Sequence, residues 1–264
     1  MEKEHNFRSK STRRNKIQEL LEKHKTVRVS ELSSTLNTSV VTIRKDLVEM
    51  EKEGILTRVH GGAIRNNLPQ QEDSDSSFKD RNIKNLEAKM AIAAATADLV
   101  QDGESLFINV GSTCSCVFHE LKHKKNLIII TNSLELFNEI STYNHITLFF
   151  LGGRFDNNMK ITVGDDVLCQ LSKYTADKLI LGMDGIDPVA GATSFNHTED
   201  QIMHQMIAQA HEKILVVDDS KIGKIAFAHI ADLNKFDILI TNYNKDNVQI
   251  LKEIERLGVR VIVV

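Results

Sequence analysis

The run Val40-Val41-Thr42-Ile43-Arg44-Lys45-Asp46-Leu47 decides how the amino-terminal part of this chain is read. Val40, Ile43, Leu47 and Met50 recur at the spacing of one helical face, and Gly54 supplies a stop, so a helix is expected from about Val40 to Glu53. Before it, Asn37-Thr38-Ser39 breaks a short helix that carries Leu32 and Leu36 and that Ser30 can cap through its hydroxyl. Earlier still, Ile17, Leu20 and Leu21 mark an amphipathic helix from Arg14 to His24. After Gly54, the run Ile55 to His60 reads as a strand turned by Gly61-Gly62. Three helices followed by a hairpin make a winged helix-turn-helix over residues 1–65.

The overall charge hides a division. The chain has 33 Lys and Arg against 36 Asp and Glu, but residues 1–65 hold 14 against 9, a net of +5, and the remainder 19 against 27, a net of −8. A basic head on an acidic body implies two modules with different partners. The 264 residues, 41% hydrophobic, can fold as two such modules. No apolar run reaches the ~18 residues of a membrane span, and no signal peptide is read at the start, so a cytoplasmic protein without membrane contact is expected. Cys114, Cys116 and Cys169 are too few and too oddly spaced for a disulfide framework or a four-ligand metal site. No metal and no cofactor is expected.

Residues 66–80 read as a linker, since the run from Asn66 to Ser77 is polar, holds one of only two prolines and has no periodicity. Residues 81–264 alternate short apolar runs with helical patterns. The runs are 105–110, 127–131, 146–151, 178–183, 214–218, 238–241 and 259–264. The helical patterns are an alanine-rich stretch at 86–100, then 113–123, 134–141, 166–173, 199–211 and 246–257. Near-continuous apolar strands alternating with helices indicate an α/β fold with a mainly parallel sheet covered on both faces. Ligands of such sheets bind beyond the carboxyl ends of the strands.

In the head, Thr42, Arg44 and Lys45 fall on the outward face of the third helix, where a recognition helix meets base edges and phosphates. Arg44 can fork onto guanine or phosphate, Lys45 suits phosphate, and Ser39 stands where the free amides of the helix start favour an anion. Arg58 and His60 in the wing are placed for backbone contacts. The plain alternative, a solvated charged face, is weakened by the surrounding helix-turn-helix pattern. Double-stranded DNA is the expected partner.

In the body, Gly111-Ser112-Thr113 opens a helix after a strand, a short phosphate cradle that on its own could equally be an ordinary helix start. The next strand ends in Thr131-Asn132-Ser133 and the third in Gly152-Gly153. The fourth leads into Asp184-Gly185-Ile186-Asp187 and the fifth into Asp218-Asp219-Ser220-Lys221. Aspartates favour turns for local reasons, and Lys221 alone would be a surface charge. Five coincident strand ends shift the balance toward a site.

The combination Thr42-Ile43-Arg44-Lys45-Asp46-Leu47 with Arg58-Val59-His60-Gly61-Gly62-Ala63 resembles the amino-terminal signature of the DeoR family of bacterial transcriptional repressors. The resemblance extends through the body, which is similar to that family's sugar-phosphate sensor domain, itself related in fold to ribose-5-phosphate isomerase. It implies that Gly111, Ser112, Thr113, Thr131, Asn132, Ser133 and Lys221 surround a phosphate, and that Asp184, Asp187 and Glu199 face the sugar. Two departures stand out: Asn109 where the family usually has Asp, and Ile222 where it usually has Phe. The isomerases carry a lysine between the aspartate turn and the catalytic carboxylate, and none lies between Asp184 and Glu199 here. The implied function is a homo-oligomeric repressor, a dimer or tetramer, of a carbohydrate-catabolism operon, released by a phosphorylated sugar. An activator of the same class remains open, and an isomerase-like enzyme is disfavoured.

Overall fold

The computed structural model of the chain describes residues 10–24, 26–59, 62–65, 83–195 and 199–264, which form two compact units. His60 and the linker expected at 66–80 lie outside the described residues.

The head consists of α1 (Lys10–His24), β1 (Thr26–Arg28), α2 (Val29–Thr35), α3 (Val40–Lys52), β2 (Leu56–Val59) and β3 (Gly62–Arg65). Its sheet has the order β1-β3-β2, and β3 pairs antiparallel with both neighbours. Strand β1 was not anticipated: three residues are too few to show a period. Ser30 is a correction, because α2 starts at Val29 with Arg28 as its cap residue, which places Ser30 inside the first turn. Asn37 takes a left-handed backbone (φ 45) in the turn, where Ser33 Oγ donates to Thr38 O at 2.7 Å. Ser39 caps α3, its hydroxyl accepting from Thr42 N at 3.2 Å. Ile17, Leu21, Leu32, Leu36, Ile43, Leu47, Met50 and Leu56 close the core, each burial contributing roughly 1.5–3 kcal/mol against the cost of ordering the chain.

One polar pair is buried beside that core. Arg13 of α1 grips Asp46 of α3 with two donors, Nε at 2.5 Å and Nη2 at 3.0 Å, and both side chains are buried. The exposed pairs of Lys10 and Arg14 with Glu49 and Glu53 link the same two helices and contribute little beside it.

The body begins with α4 (Leu86–Asp98) and then runs β4 (Ser105–Ile108), α5 (Ser112–Leu121), β5 (Ile128–Thr131), α6 (Leu134–Ile140) and β6 (Thr147–Phe150). A hairpin, β7 (Arg154–Asp156) and β8 (Ile161–Val163), precedes α7 (Asp165–Leu171), β9 (Ala176–Leu181), β10 (Gly185–Asp187) and β11 (Gly191–Ser194). It ends with α8 (Asp200–Gln209), β12 (Ala210–Val216), β13 (Ala228–Ala231), β14 (Ile238–Thr241), α9 (Val248–Glu255) and β15 (Arg260–Val263).

The seven long-range strands form one parallel sheet of order β15-β14-β12-β9-β4-β5-β6. Alternation sorts its side chains. Leu106, Ile108, Ile129, Ile180, Ile214, Val216 and Ile240 join α4, α5 and α6 on one face, whereas Phe107, Leu179, Leu181, Leu215 and Leu239 join α7, α8 and α9 on the other. The chain builds outward from β4 to β6, returns to lay β9 against the other side of β4, and then builds outward again. The order therefore reverses between β4 and β9, and a crevice opens beyond the carboxyl ends of strands at such a reversal. The small strands lie outside the main sheet, β7 antiparallel to β8 and β11 antiparallel to β13, with β10 next to β11, and were not anticipated.

Candidate functional site

Beyond the β4–β9 reversal lies a cleft of about 800 Å³ including its open mouth. Gly111, Ser112 and Thr113 line it at the start of α5, where the amides of residues 112–114 have no intrahelical acceptor and Ser115 N already donates to Gly111 O at 2.9 Å. A Cβ at Gly111 would meet nothing nearer than Cys114 Sγ at 3.6 Å, so packing does not demand that glycine. The helix start thus offers the cleft a cluster of donors that favour an anion.

Lys221 also lines the cleft, presented by a 3-10 turn over Asp219–Lys221. That turn is held from beneath. Asp218 Oδ1 accepts from Asn85 Nδ2 and Ser220 N, both at 3.0 Å, and Asp219 accepts from Asn242 Nδ2 at 2.9 Å and Asn244 Nδ2 at 2.7 Å. Both aspartates hold Lys221 in place through this network. Lys84 and Lys89 complete the basic lining, and Lys89 is 3% exposed, with its ammonium donating to Lys84 O at 2.5 Å.

The acidic lining is Asp184, Glu199 and Asp218. Asp184 Oδ2 accepts from Phe195 N at 3.0 Å and Ser194 Oγ at 3.2 Å, which fixes it just before β10. Glu199 stands at the start of α8, 4% exposed, and accepts from Asn132 Nδ2 at 3.2 Å. Its carboxyl is pushed up to about 7: burial raises it most, the Asn132 hydrogen bond pulls it back in part, and the charges of Asp184, Asp200 and Asp156 add to the rise. A carboxyl raised in the folded state binds more protons there than when unfolded, so it costs stability as pH rises from about 4.5 through about 7. Glu199→Gln is therefore expected to flatten the pH dependence of stability and to stabilise the body above pH 7, by on the order of 3 kcal/mol at most. Thermal melts at pH 5 and pH 8 check this; an unchanged difference between the two would contradict it.

Several residues expected in the site line other parts of the body. Thr131 and Ser133 are buried and occupied: Thr131 Oγ1 donates to Ile108 O at 2.7 Å, tying β5 to β4, and Ser133 Oγ caps α6. Asn132 reaches the cleft only through Glu199, and its second donation goes to Thr162 O at 2.9 Å. Gly152 and Gly153 serve packing, since Gly152 N donates to Gln170 Oε1 and a Cβ on Gly153 would meet Val167 Cγ2 at 2.7 Å and Val163 O at 2.9 Å. Asp187 stands at the far end of β10 and is not among the residues that line the cleft. Asn109, noted only as a departure, proves central: its Oδ1 accepts from Gly182 N at 3.0 Å and from the Cys114 thiol at 3.2 Å, joining the ends of β4 and β9. Burial pushes that thiol up to about 12, so it stays a donor. Ile222 is buried in the core beside Ile186.

In the head, Arg44 and Lys45 are exposed on α3 and have no acidic partner among the described residues. Thr42 is half-buried, with its hydroxyl 2.9 Å from Ser39 Oγ. Exposed Arg58 is steadied by Glu51, whose carboxylate accepts from Arg58 N at 2.8 Å.

Residues 13–68 match the DeoR-like helix-turn-helix domain, and residues 84–243 match the DeoR C terminal sensor domain. The chain belongs to the DeoR family. Similar relatives of this DeoR-family chain include the "Lactose phosphotransferase system repressor" of Staphylococcus epidermidis, 32% identical over 89% of this chain and 93% of that protein. Another is the "HTH-type transcriptional regulator GolR" of Listeria innocua, 31% identical over 94% of this chain and 96% of that one. Among solved structures, ribose 5-phosphate isomerase A of Methanocaldococcus jannaschii aligns with 53% of this chain and 55% of its own, at 20% identity and a TM-score of 0.40. Among the described residues no helix is long and apolar enough to cross a membrane.

Sequence reasoning passed over Lys84, Lys89 and Met159 in the cleft. Lys89 had a signal: it occupies the inner stripe of α4 with Ile92, Ala93, Thr96 and Ala97, where a charge is out of place. Lys84 and Met159 carried none, because a turn residue and a hairpin residue reach the cleft only through tertiary folding.

Proposed function

We propose that this protein represses a carbohydrate-catabolic operon in the cytoplasm, gripping its operator through the head and letting go when a phosphorylated sugar fills the body cleft. The observation that carries the reading is the composition of that one cleft. Unpaired helix amides with Lys89 and Lys221 suit a phosphate, and Asp184 and Glu199 suit hydroxyl groups. The relatives named as repressors support the sign of regulation. The cleft serves sensing and not turnover in this reading: its carboxylates are engaged by Asn132, Ser194 and Phe195, and no lysine lies between Asp184 and Glu199.

Release follows from linkage. A sugar phosphate that binds the DNA-incompetent arrangement more tightly must weaken DNA binding by the same factor that DNA weakens its own binding. Two recognition helices one helical turn apart are needed for a two-fold operator, so the working form is at least a dimer.

Two variants separate the modules. Arg44→Ala is expected to weaken operator binding by about 1–3 kcal/mol and leave sugar-phosphate affinity intact. Lys221→Ala is expected to keep operator binding and lose release. Operator footprinting with and without sugar phosphates reads both outcomes, and an Arg44→Ala footprint like that of the native protein would remove α3 from the DNA.

A further inference from the structure

The outer face of α3 carries an apolar component that the core does not use. Ile43, Leu47 and Met50 supply the buried side of this helix, whereas Val41 is 63% exposed and Val40 is 40% exposed. Val41, Arg44, Lys45 and Val48 follow one another at helical spacing on one stripe, and with Glu49 and Lys52 they line a shallow recess. A β-branched residue left in water at this position forgoes helix propensity without gaining burial. The rim is basic on balance: Arg44, Lys45 and Lys52 stand against Glu49 alone, and Glu49 is engaged by Lys10 of α1.

An apolar floor inside a cationic rim fits a polyanion that also displays an apolar group. In the major groove of duplex DNA that group is the C5 methyl of thymine, the one apolar feature among the base edges. We infer that Val41 reads a thymine through its methyl group, next to the base pair over which Arg44 stands. Three residues of helix advance about 4.5 Å, and base pairs stack about 3.4 Å apart, so the thymine lies about one base step from the Arg44 contact. Val41 is thereby a sequence-determining residue, separate from the phosphate grip of Lys45. The inference rests on the reading of α3 as the helix that enters the groove.

The test uses the full chain and a duplex that it enriches from a random-sequence pool. Each thymine of that duplex is replaced singly by deoxyuridine, which lacks only the methyl, and binding is followed by fluorescence anisotropy. In each half-site one replacement is expected to weaken binding about fourfold, the value of one buried methyl-sized group. Val41→Ala is expected to bind the thymine duplex about as weakly as the native protein binds the uridine one, and to be indifferent to the replacement. Val41 is largely exposed, so the variant should fold, and its far-ultraviolet dichroism checks that it does. If no single replacement matters, or if Val41→Ala keeps the same uridine penalty, the inference is overturned. If Val41→Ala alters the oligomeric mass and not the uridine difference, the recess belongs to a second copy and the inference is likewise overturned. A pool that yields no enriched sequence would instead remove the DNA reading of α3 itself, and the thymine contact with it.

Discussion

Asp46→Ala is expected to abolish operator binding at 25 °C while leaving sugar-phosphate binding by the body unchanged. The carboxylate is buried and grasped by two donors of Arg13, itself only 7% exposed. Removing the acid leaves a buried guanidinium that cannot lose its proton and has lost the carboxylate that took both of these hydrogen bonds. Breaking a buried pair in this way costs about 3–5 kcal/mol. A head closed around so small a core has little stability to spare, so α1 and α3 should part and the recognition helix lose its support. Removing both charges, in Arg13→Met/Asp46→Leu, should recover most of the stability because no orphaned charge remains. Calorimetric melts with operator-binding assays check both variants; an Asp46→Ala protein that melts and binds like the native chain would contradict the role of the pair.

The second large effect is expected at Lys89. If the phosphate rests on the amides that open α5, the buried ammonium of Lys89 lines the same cleft. Losing one partner of a buried charge pair costs about 2–5 kcal/mol, roughly 30-fold to several-thousand-fold in affinity. Lys89→Met keeps the length and the apolar stem on the inner stripe of α4, so the fold should survive, and the body without ligand should be no less stable once a buried charge is gone. The expected phenotype is a repressor that binds its operator normally and fails to release it. Titration of the variant with sugar phosphates on operator DNA checks this. A response at the native concentration would remove Lys89 from the phosphate site.

Periodic elements were legible from the sequence, and elements made by tertiary contact were not. The stripe of Ile43, Leu47 and Met50 located α3 closely, and Ile238–Thr241 was read to its ends, because burial on both faces forces a continuous apolar run. The three-residue strands of the β7–β8 hairpin, outside the main sheet, carry no period of their own and take their register from each other. The site shows the same division. Gly111 to Thr113 open a helix after a strand, and that punctuation is visible in a sequence. Thr131 and Ser133 looked alike in kind, but their hydroxyls are spent on Ile108 and on the α6 cap, which depends on which strand lies alongside. Gly153 read as a ligand turn because nothing in one sequence announces that Val163 and Val167 press against it. Asp46 and Lys89 both stand on buried stripes, a signal the sequence reading passed over, and each has a structural reason that only its partner helix or cleft reveals.

The central claim, that a phosphorylated sugar in the body cleft releases the head from DNA, is tested most directly by one titration. The full chain is bound to a fluorescent operator duplex, and sugars are added in pairs, each with and without its phosphate, while anisotropy is followed. The account predicts that at least one phosphorylated sugar releases the duplex and that its unphosphorylated counterpart does not at the same concentration. Release by both members of a pair alike, or by no sugar phosphate across pentoses and hexoses, would contradict it.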